Sequence, residues 1–313
     1  MMQSCILNID KPCGMTSHDV VAMTRSHFGL RAVGHTGTLD PAASGVLLLC
    51  LGRATKFARF FEALDKTYWT VLELGTCTDT QDATGKVTQS CTVPTVHRTQ
   101  IERVLKQFRG HIEQVPPMYS AVKHQGQRLY KLARQGHVVQ REPRRVHIRR
   151  LELLHIQGSR LTLSVTCSKG TYIRTLCEDI GLALGYGAHM AALQRCRIGC
   201  FSLAQAGSLA SVSPPDADTR TDASMRGLSP LSHALKFLPP LMLTPPQSQA
   251  VWTGQGGALQ MILSHTPAQH LTAPTYRLCV PQDRTVAVMH RQSPERWKLY
   301  RLEPEENLHA CDQ

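Results

Sequence analysis

The stretch "GHTGTLDPAASG" (residues 34–45) leads directly into the apolar run "VLLLCLG" (residues 46–52), and the two together indicate how the chain folds. The glycines of the loop permit positive φ or a close backbone approach, and Pro41 stiffens the chain directly after Asp40. Pro41 also biases Asp40 away from helical conformation. The apolar run predicts a buried strand. Asp40 is therefore expected on a shaped loop that enters the core, either as a turn-forming residue or as an acid positioned for chemistry.

Length and charge limit the classes of protein to which the chain belongs. Its 313 residues suffice for one large domain with a smaller one, or for two medium domains. A hydrophobic content of 42% is ordinary for a globular protein with a substantial core. The formal net charge is +12, from 35 Lys and Arg against 23 Asp and Glu. A chain this basic is a candidate for binding a polyanion, and nucleic acid is the commonest one.

The 11 cysteines are scattered, with no CxxC pair and no cysteine–histidine spacing typical of zinc sites. The N-terminal "MMQSCILNIDK" lacks the basic lead and long apolar segment of a signal peptide, and no run approaches the length of a membrane span. These features predict a reduced, cytoplasmic protein without a membrane segment.

Strand and helix patterns mix without a regular βαβ rhythm, which favours an α+β fold. Period-2 or β-branched patterns predict strands at 4–11, 66–75 and 160–170, and helical periodicity with capping residues predicts helices at 16–29, 99–110 and 171–185. Residues 210–230 are polar and proline-bearing, which is typical of a linker or a mobile loop. Beyond them, "TYRLCVP" and "RTVAVMHR" predict strands of a small β-rich module.

The segment 115–136, "VPPMYSAVKHQGQRLYKLARQG", interleaves aromatic and basic residues after a double proline. Cations contact phosphates and aromatic rings stack on bases, so this pattern fits an RNA contact. A solvated amphipathic helix with two ordinary tyrosines explains it about as well.

Three other sequence motifs are incomplete, because each lacks a residue that its function requires. His111 and Glu113 form the H-x-E of a zinc deaminase, but the required P-C-x-x-C is absent. The sequence near 85 lacks the first glycine of a phosphate loop, and "AASG" lacks the first glycine of a nucleophile elbow. The sequence predicts neither a metal nor a nucleotide cofactor.

Four stretches together resemble the bacterial tRNA pseudouridine synthase B family: "GHTGTLDPAASGVLLLCLGRATK" (34–56), "KTYWTVLELGTCTDTQDATG" (66–85), the segment 115–143 that leads into "REPRRV", and "CSKGTYIRTLCEDIG" (167–181). The match runs in order through about residues 1–208. The resemblance implies isomerisation of a uridine in the T-loop of tRNA, at position 55 in tRNA numbering, without cofactor or metal.

The resemblance also implies a set of site residues. Asp40 would be the catalytic aspartate, Arg174 the cation that orients it, and Tyr68 a stacking residue and proton acceptor. A carboxylate can trap or stabilise the electron-deficient sugar carbon when a glycosidic bond breaks, as in glycoside chemistry. The predicted substrate-binding residues are His35, which would fill the space of a flipped base, with Tyr172, Leu193, Asp82 and Lys11.

For the architecture, the resemblance implies a catalytic domain (1–209) around a mixed, mainly antiparallel sheet, in which residues 115–143 clamp the T-loop. After the linker (210–230) it implies a small β-rich, PUA-like RNA-binding domain (231–313). The expected partner is tRNA, and the expected state is a monomer. The alternatives are a synthase for another RNA uridine, a non-catalytic tRNA-folding protein, and a nucleoside hydrolase.

Overall fold

A computed structural model of the chain describes residues 4–212 and 226–302. Its strands, in chain order, are β1 (Cys5–Lys11), β2 (Val33–His35), β3 (Ser44–Leu51), β4 (Lys66–Leu74), β5 (Thr76–Thr78), β6 (Val87–Ser90), β7 (Gly110–Gln114), β8 (Lys123–His124), β9 (Gln127–Arg128), β10 (Arg144–Gln157), β11 (Arg160–Cys167), β12 (Ala188–Ile198), β13 (Phe201–Ser202), β14 (Gly207–Ser208), β15 (Leu228–Pro230), β16 (Pro240–Met242), β17 (Thr275–Val280), β18 (Arg284–Ser293) and β19 (Arg296–Arg301). Its α-helices are α1 (Ser17–Phe28), α2 (Ala58–Glu62), α3 (Arg98–Leu105), α4 (Leu129–Arg134), α5 (Ile173–Ala183), α6 (Leu231–Ala234), α7 (Pro245–Thr253) and α8 (Ala258–His265).

Local sequence explains where the first helix begins and ends. Thr16 and Asp19 form a capping box, in which each side chain accepts a hydrogen bond from the other residue's backbone N–H. Gly29 ends the helix in the left-handed region, with φ of 62°. The prediction of a helix at 16–29 is therefore confirmed.

Among the residues that the structure describes, the main sheet has 11 strands, with a central order of β14-β1-β3-β12-β4-β11-β10-β7. Neighbours pair antiparallel except for β1 with β14 and β3 with β12, which pair parallel. The predicted α+β fold around a mixed, mainly antiparallel sheet is confirmed. Helices α3 and α5 cover one face of the part of the sheet formed by β12, β4, β11 and β10. Both faces of β3 are buried, one of them against α1.

Several elements differ from their predictions. The predicted helix at 99–110 is shorter, because α3 ends at Leu105 and Gly110 already opens β7 with φ of 89°. The structure also contains two long strands that the sequence patterns did not predict, β10 and β12. Strand β12 lies at the centre of the sheet, so its buried positions depend on neighbours that come from distant parts of the chain.

The C-terminal part forms a separate four-stranded sheet, in the order β16-β17-β18-β19, and adds helices α7 and α8 to the predicted strands. It rests on the main sheet through an apolar cluster that includes Phe60 and Tyr300. Arg59 crosses this junction, where it donates to Tyr300 Oη at 2.9 Å and lies 2.9 Å from His290 Nε2.

Most of the predicted linker, residues 213–225, lies outside the described residues. The last three residues of the predicted linker form β15, which pairs with β1 of the main sheet, and the small sheet begins only at Pro240. Within residues 4–212 and 226–302, no helix has the length and apolar character needed to cross a membrane.

Strands β3 and β12 meet at Gly45, which pairs with Arg195. Gly45 has φ of 105°, and a Cβ placed there would lie 2.3 Å from the Arg195 carbonyl oxygen. Only glycine permits both this conformation and this approach. The glycine predicted to allow close backbone contact therefore joins the Asp40 loop to the centre of the sheet.

We expect Gly45→Ala to lower the free energy of unfolding by on the order of 3 kcal/mol or more, because it adds a backbone clash to an unfavourable φ. Urea unfolding followed by circular dichroism measures this change. Gly110→Ala is the matched control, since Gly110 has φ of 89° but open space around its Cβ position. That substitution should lower stability by only about 1–2 kcal/mol. Equal losses in the two variants would contradict the close-approach argument.

Candidate active site

The loop that carries Asp40 connects β2 to β3 and is fastened to the chain between β1 and α1. Gly14 N–H donates to the Pro41 carbonyl at 2.8 Å, and the Cys13 thiol donates to the Ala42 carbonyl. Ser17, at the start of α1, both accepts from Leu39 N–H and donates to its carbonyl. These bonds fix the backbone on both sides of Asp40.

Lys11 lies beneath this loop and is fully buried. Its ammonium group donates to the carbonyls of Pro12 and Met15 at 2.7 and 2.8 Å, and reaches that of Pro41 at 3.5 Å. Burial lowers the pKa of Lys11 from its usual value. Substrate binding by Lys11 stays a prediction, and in the described structure the residue has no exposed surface and directs its donors at backbone carbonyls. It holds the Asp40 loop in place.

Arg174, in the first turn of α5, forms a two-point ion pair with Asp40. Arg174 Nε lies 3.0 Å from Asp40 Oδ2, and Nη2 lies 3.4 Å from Oδ1. The arginine side chain is 7% exposed, whereas that of the aspartate is 35% exposed. A buried guanidinium fork thus fixes the orientation of a carboxylate that remains open to a ligand. The structure brings together the two residues that the sequence predicted to act as a pair.

The rest of the guanidinium is also occupied. Nη1 donates to the Thr80 carbonyl at 3.1 Å and lies 3.7 Å from Asp82 Oδ2. Nη2 donates to the Tyr119 carbonyl at 2.9 Å. Arg174 therefore connects the Asp40 loop with the loop after β5 and with the segment predicted to clamp RNA.

Asp82 lies behind Arg174 and is mostly committed to its own loop. Its Oδ1 accepts from the Thr80 hydroxyl at 2.7 Å, and from the backbone N–H and hydroxyl of Thr84 at 3.0 and 2.6 Å. The side chain is 10% exposed. The contact between Asp82 and substrate stays a prediction, and in this geometry the carboxylate contacts Arg174 and helps to position it.

Tyr68 projects from β4 into the same region and is 8% exposed. Burial raises the pKa of its phenol, and the charge of Arg195 opposes this only in part. The group is therefore a neutral phenol at physiological pH. That state suits stacking on a base. The role of Tyr68 as a proton acceptor stays a prediction.

Arg195 is a site residue that the sequence analysis missed. It is 2% exposed on β12, and its guanidinium donates to three carbonyls, those of Val46 at 2.7 Å, Gly37 at 3.0 Å and Thr38 at 3.4 Å. It thereby fixes the backbone that precedes Asp40. A signal existed in the sequence, since a basic residue within an apolar strand is uncommon unless it is paired.

The predicted pocket residues Tyr172 and Leu193 lie directly before α5 and on β12. Leu193 is 9% exposed on β12, in the same apolar cluster as Tyr68. Tyr172 precedes α5 and is half-buried. The Gln114 side chain accepts from its backbone N–H at 3.0 Å and donates to its carbonyl at 3.2 Å. Gln114, which the sequence analysis also missed, thus fixes the backbone of Tyr172 directly before α5.

His35 lies on β2, at the start of the Asp40 loop, with its ring edge-on to His18 at a centroid distance of 5.3 Å. Its Nδ1 accepts from Gly37 N–H at 3.3 Å. Burial, together with the charges of His18 and Arg195, lowers the pKa of His35 to about 4. The imidazole is therefore neutral at physiological pH.

The segment predicted to clamp RNA contains the hairpin β8–β9 followed by α4. The cations Lys123, Arg128 and Lys131 are exposed along it. In the described ranges, His, Cys, Asp and Glu side chains do not gather anywhere in a group of three that could hold a metal ion. The absence of a cofactor stays a prediction.

Comparisons with known proteins identify the family of this chain. Residues 25–173 match the family described as "TruB family pseudouridylate synthase (N terminal domain)", and residues 174–236 match "tRNA pseudouridylate synthase B C-terminal domain". The tRNA pseudouridine synthase B of Pseudomonas putida (strain GB-1) is 51% identical over 241 residues, which cover 77% of this chain and 79% of that relative. The chain belongs to the tRNA pseudouridine synthase B family.

A second relative, from Stutzerimonas stutzeri (strain A1501), is 49% identical over the same length and coverage. Among solved structures, that of a Cbf5-Nop10-Gar1 complex superposes with a TM-score of 0.67 at 27% identity, covering 96% of this chain and 84% of the other. The predicted family is confirmed. The protein is a tRNA pseudouridine synthase, an enzyme that isomerises uridine to pseudouridine.

The lowered pKa of His35 predicts a pH dependence of stability. Between about pH 6.5 and pH 4 the unfolded chain binds a proton at this residue and the folded chain does not. The contribution of His35 to stability is therefore full above pH 6.5 and is lost as the pH falls toward 4. Urea unfolding at pH 7.0, 6.0 and 5.0 should show a smaller loss in His35→Gln than in the unaltered chain.

His155→Gln is the control for this measurement. It removes an exposed imidazole on β10, which is several strands away from β2 and His35 in the main sheet. It should follow the unaltered chain at every pH. Parallel curves for the unaltered chain and His35→Gln would contradict the assignment of a neutral, half-buried His35.

Proposed function

We propose that the enzyme modifies the uridine at position 55, in the T-loop of tRNA, and that Asp40 is its catalytic carboxylate. The observation that carries the proposal is the two-point pair between Asp40 and Arg174. It leaves an oriented carboxylate 35% exposed while its cation is buried. Tyr68 and Leu193, in one apolar cluster, supply surfaces on which a pyrimidine ring can stack.

The reaction rearranges bonds without net gain or loss of atoms. The bond from the sugar C1′ to uracil N1 breaks, the ring turns, and C1′ bonds to C5. The proton on C5 leaves and N1 gains one. C1′ becomes electron-deficient when the base detaches, and an ionised carboxylate compensates that charge either by bonding to C1′ or by assisting elimination. Both forms of the mechanism require a carboxylate fixed in orientation, which Arg174 provides.

Since a T-loop uridine is stacked, the enzyme must extrude it, at an energetic penalty of a few kcal/mol. We propose that His35 fills the vacated space. Its lowered pKa supports this role, since a neutral imidazole enters an apolar gap between bases with less loss of hydration than a charged one.

We further propose that residues 115–143 clamp the T-loop. Exposed Lys123, Arg128 and Lys131 suit phosphate contacts. Because the Tyr119 carbonyl of this segment accepts from Arg174, the clamp and the catalytic carboxylate share one cation.

The division into a catalytic domain (1–209), a linker (210–230) and an RNA-binding domain (231–313) is part of this proposal. The separate small sheet from Pro240 onward supports it. The monomeric state and the cytoplasmic location stay predictions.

We expect Asp40→Asn to abolish pseudouridine formation, because the amide cannot carry the negative charge that C1′ requires. The variant should still bind tRNA with an affinity close to that of the unaltered enzyme, since the clamp is untouched. Release of tritium from tRNA labelled at uridine C5, together with filter binding, measures the two properties. A nucleoside hydrolase would instead release free uracil, and a folding chaperone would release no tritium even before the substitution.

We expect Arg174→Lys to lower kcat by about 100-fold or more, because an ammonium group cannot reproduce the planar fork that orients Asp40. The matched control is Arg160→Lys, which alters an exposed arginine–carboxylate pair with Glu73 at 3.2 Å. That variant should keep kcat within about twofold. A similar kcat for the two variants would contradict the role proposed for Arg174.

A further inference from the structure

Gln81 adopts a left-handed backbone conformation, with φ of 64°, that is unfavourable for any residue with a side chain. The penalty is about 1–2 kcal/mol. The other non-glycine residues of positive φ in the described ranges are Gln125, Gln282 and Asp283, which occupy tight turns between paired strands. Gln81 instead lies between Thr80 and Asp82, two residues that contact Arg174. Strain of this kind persists only where surrounding contacts hold it, and it is concentrated at functional sites.

The Gln81 side chain supplies contacts that hold the strained backbone. Its Oε1 accepts from the Thr175 hydroxyl at 2.9 Å, and its Nε2 donates to the Glu178 carboxylate. Its backbone N–H donates to the Thr78 carbonyl at 3.1 Å, and its own carbonyl accepts from Met190 N–H at 3.0 Å. All the polar groups of the residue are thus engaged, and the two side-chain bonds both reach α5.

These bonds bear on Arg174 because Thr175 and Glu178 belong to the same helix. Thr175 follows Arg174 directly, and Glu178 lies one turn later. The Gln81 side chain attaches the loop after β5 to α5. This attachment places the Thr80 carbonyl 3.1 Å and the Asp82 carboxylate 3.7 Å from Arg174 Nη1. The remaining donors, Nε and Nη2, then face Asp40.

Glu178 is suited to hold such a contact. It is half-buried, and burial raises its pKa while the hydrogen bond from Gln81 and the charge of Arg141 oppose the rise. The adjacent Asp179 has a pKa raised to about 6 by burial and by the charge of Glu178. A carboxylate partly removed from water binds an amide N–H more strongly than an exposed one.

We propose that Gln81, held by Thr175 and Glu178, is a positioning residue of the active site: its side chain fixes the loop that orients Arg174 and, through it, Asp40. The inference rests on the proposed function and extends it to residues that touch neither substrate nor Asp40. It predicts that loss of the Gln81 contacts lowers the rate of the chemical step and leaves tRNA binding unchanged.

The test compares kcat and KM for tritium release from C5-labelled tRNA in the full-length enzyme. Gln81→Ala should lower kcat by about 10- to 100-fold, the usual effect of losing an outer contact to a catalytic group. Its KM should stay within about twofold, because the clamp segment is unaltered. Gln157→Ala is the control, since Gln157 is exposed at the end of β10, outside the site and the clamp segment. It should leave both constants unchanged.

Variants of Glu178 test the same contact without altering the strained backbone. Glu178→Ala should reproduce the loss in kcat. Glu178→Gln retains an acceptor for the Gln81 amide and should stay within about threefold of the unaltered enzyme. Asp179→Asn removes the neighbouring carboxylate, which does not contact Gln81 in the described structure, and should have little effect.

Three results would overturn the inference: an unchanged kcat in Gln81→Ala, a change confined to KM, or equal kcat values for Glu178→Ala and Glu178→Gln. If Gln81→Ala does not fold, the Glu178 pair decides the question alone. Failure of the proposed function looks different. In that case the unaltered enzyme would release no tritium from uridine 55, or Asp40→Asn would remain active.

Discussion

The contact between Arg174 and Asp40 is the constraint on which the rest of this structure depends. A carboxylate that acts on a sugar carbon must be oriented and still reachable, and these demands conflict when its partner is mobile. Here the guanidinium is buried and tied to the Thr80 and Tyr119 carbonyls, so Asp40 can remain open on its other side. Burying the cation is tolerable only because its donors are directed at fixed acceptors.

The surrounding fold provides those acceptors. Buried Lys11 and Arg195 direct their charges at the backbone carbonyls of the Asp40 loop, and neither forms an ion pair in the described residues. Carbonyl dipoles thus take the place of counterions. This arrangement fixes the loop while leaving the Asp40 side chain 35% exposed. The small C-terminal sheet, by contrast, is attached through an apolar cluster and Arg59, on the side of β3 opposite α1.

Local signals in the sequence predicted the parts of the site that local chemistry specifies. Gly37, Pro41 and Gly45 indicated an unusual loop at Asp40, and the caps of α1 lie where the pattern placed them. The same reasoning missed Arg195 and Gln114, because their roles depend on carbonyls and amides that are distant in sequence. The burial of Lys11 was not predicted either, since a lysine beside a glycine turn has no local feature that distinguishes burial from exposure.

The sequence by itself determined the family, helices α1 and α5, and strands β1, β3, β4 and β11, because motif spacing, hydrophobic periodicity and capping are properties of short segments. Only the tertiary structure decided that Asp82 lies behind Arg174, that Tyr68 is a buried neutral phenol, and that Gln81 connects its loop to α5. Burial and hydrogen-bond partners arise when β3, β4, β12 and α5 meet. These elements lie far apart along the chain, so no local pattern records their contacts.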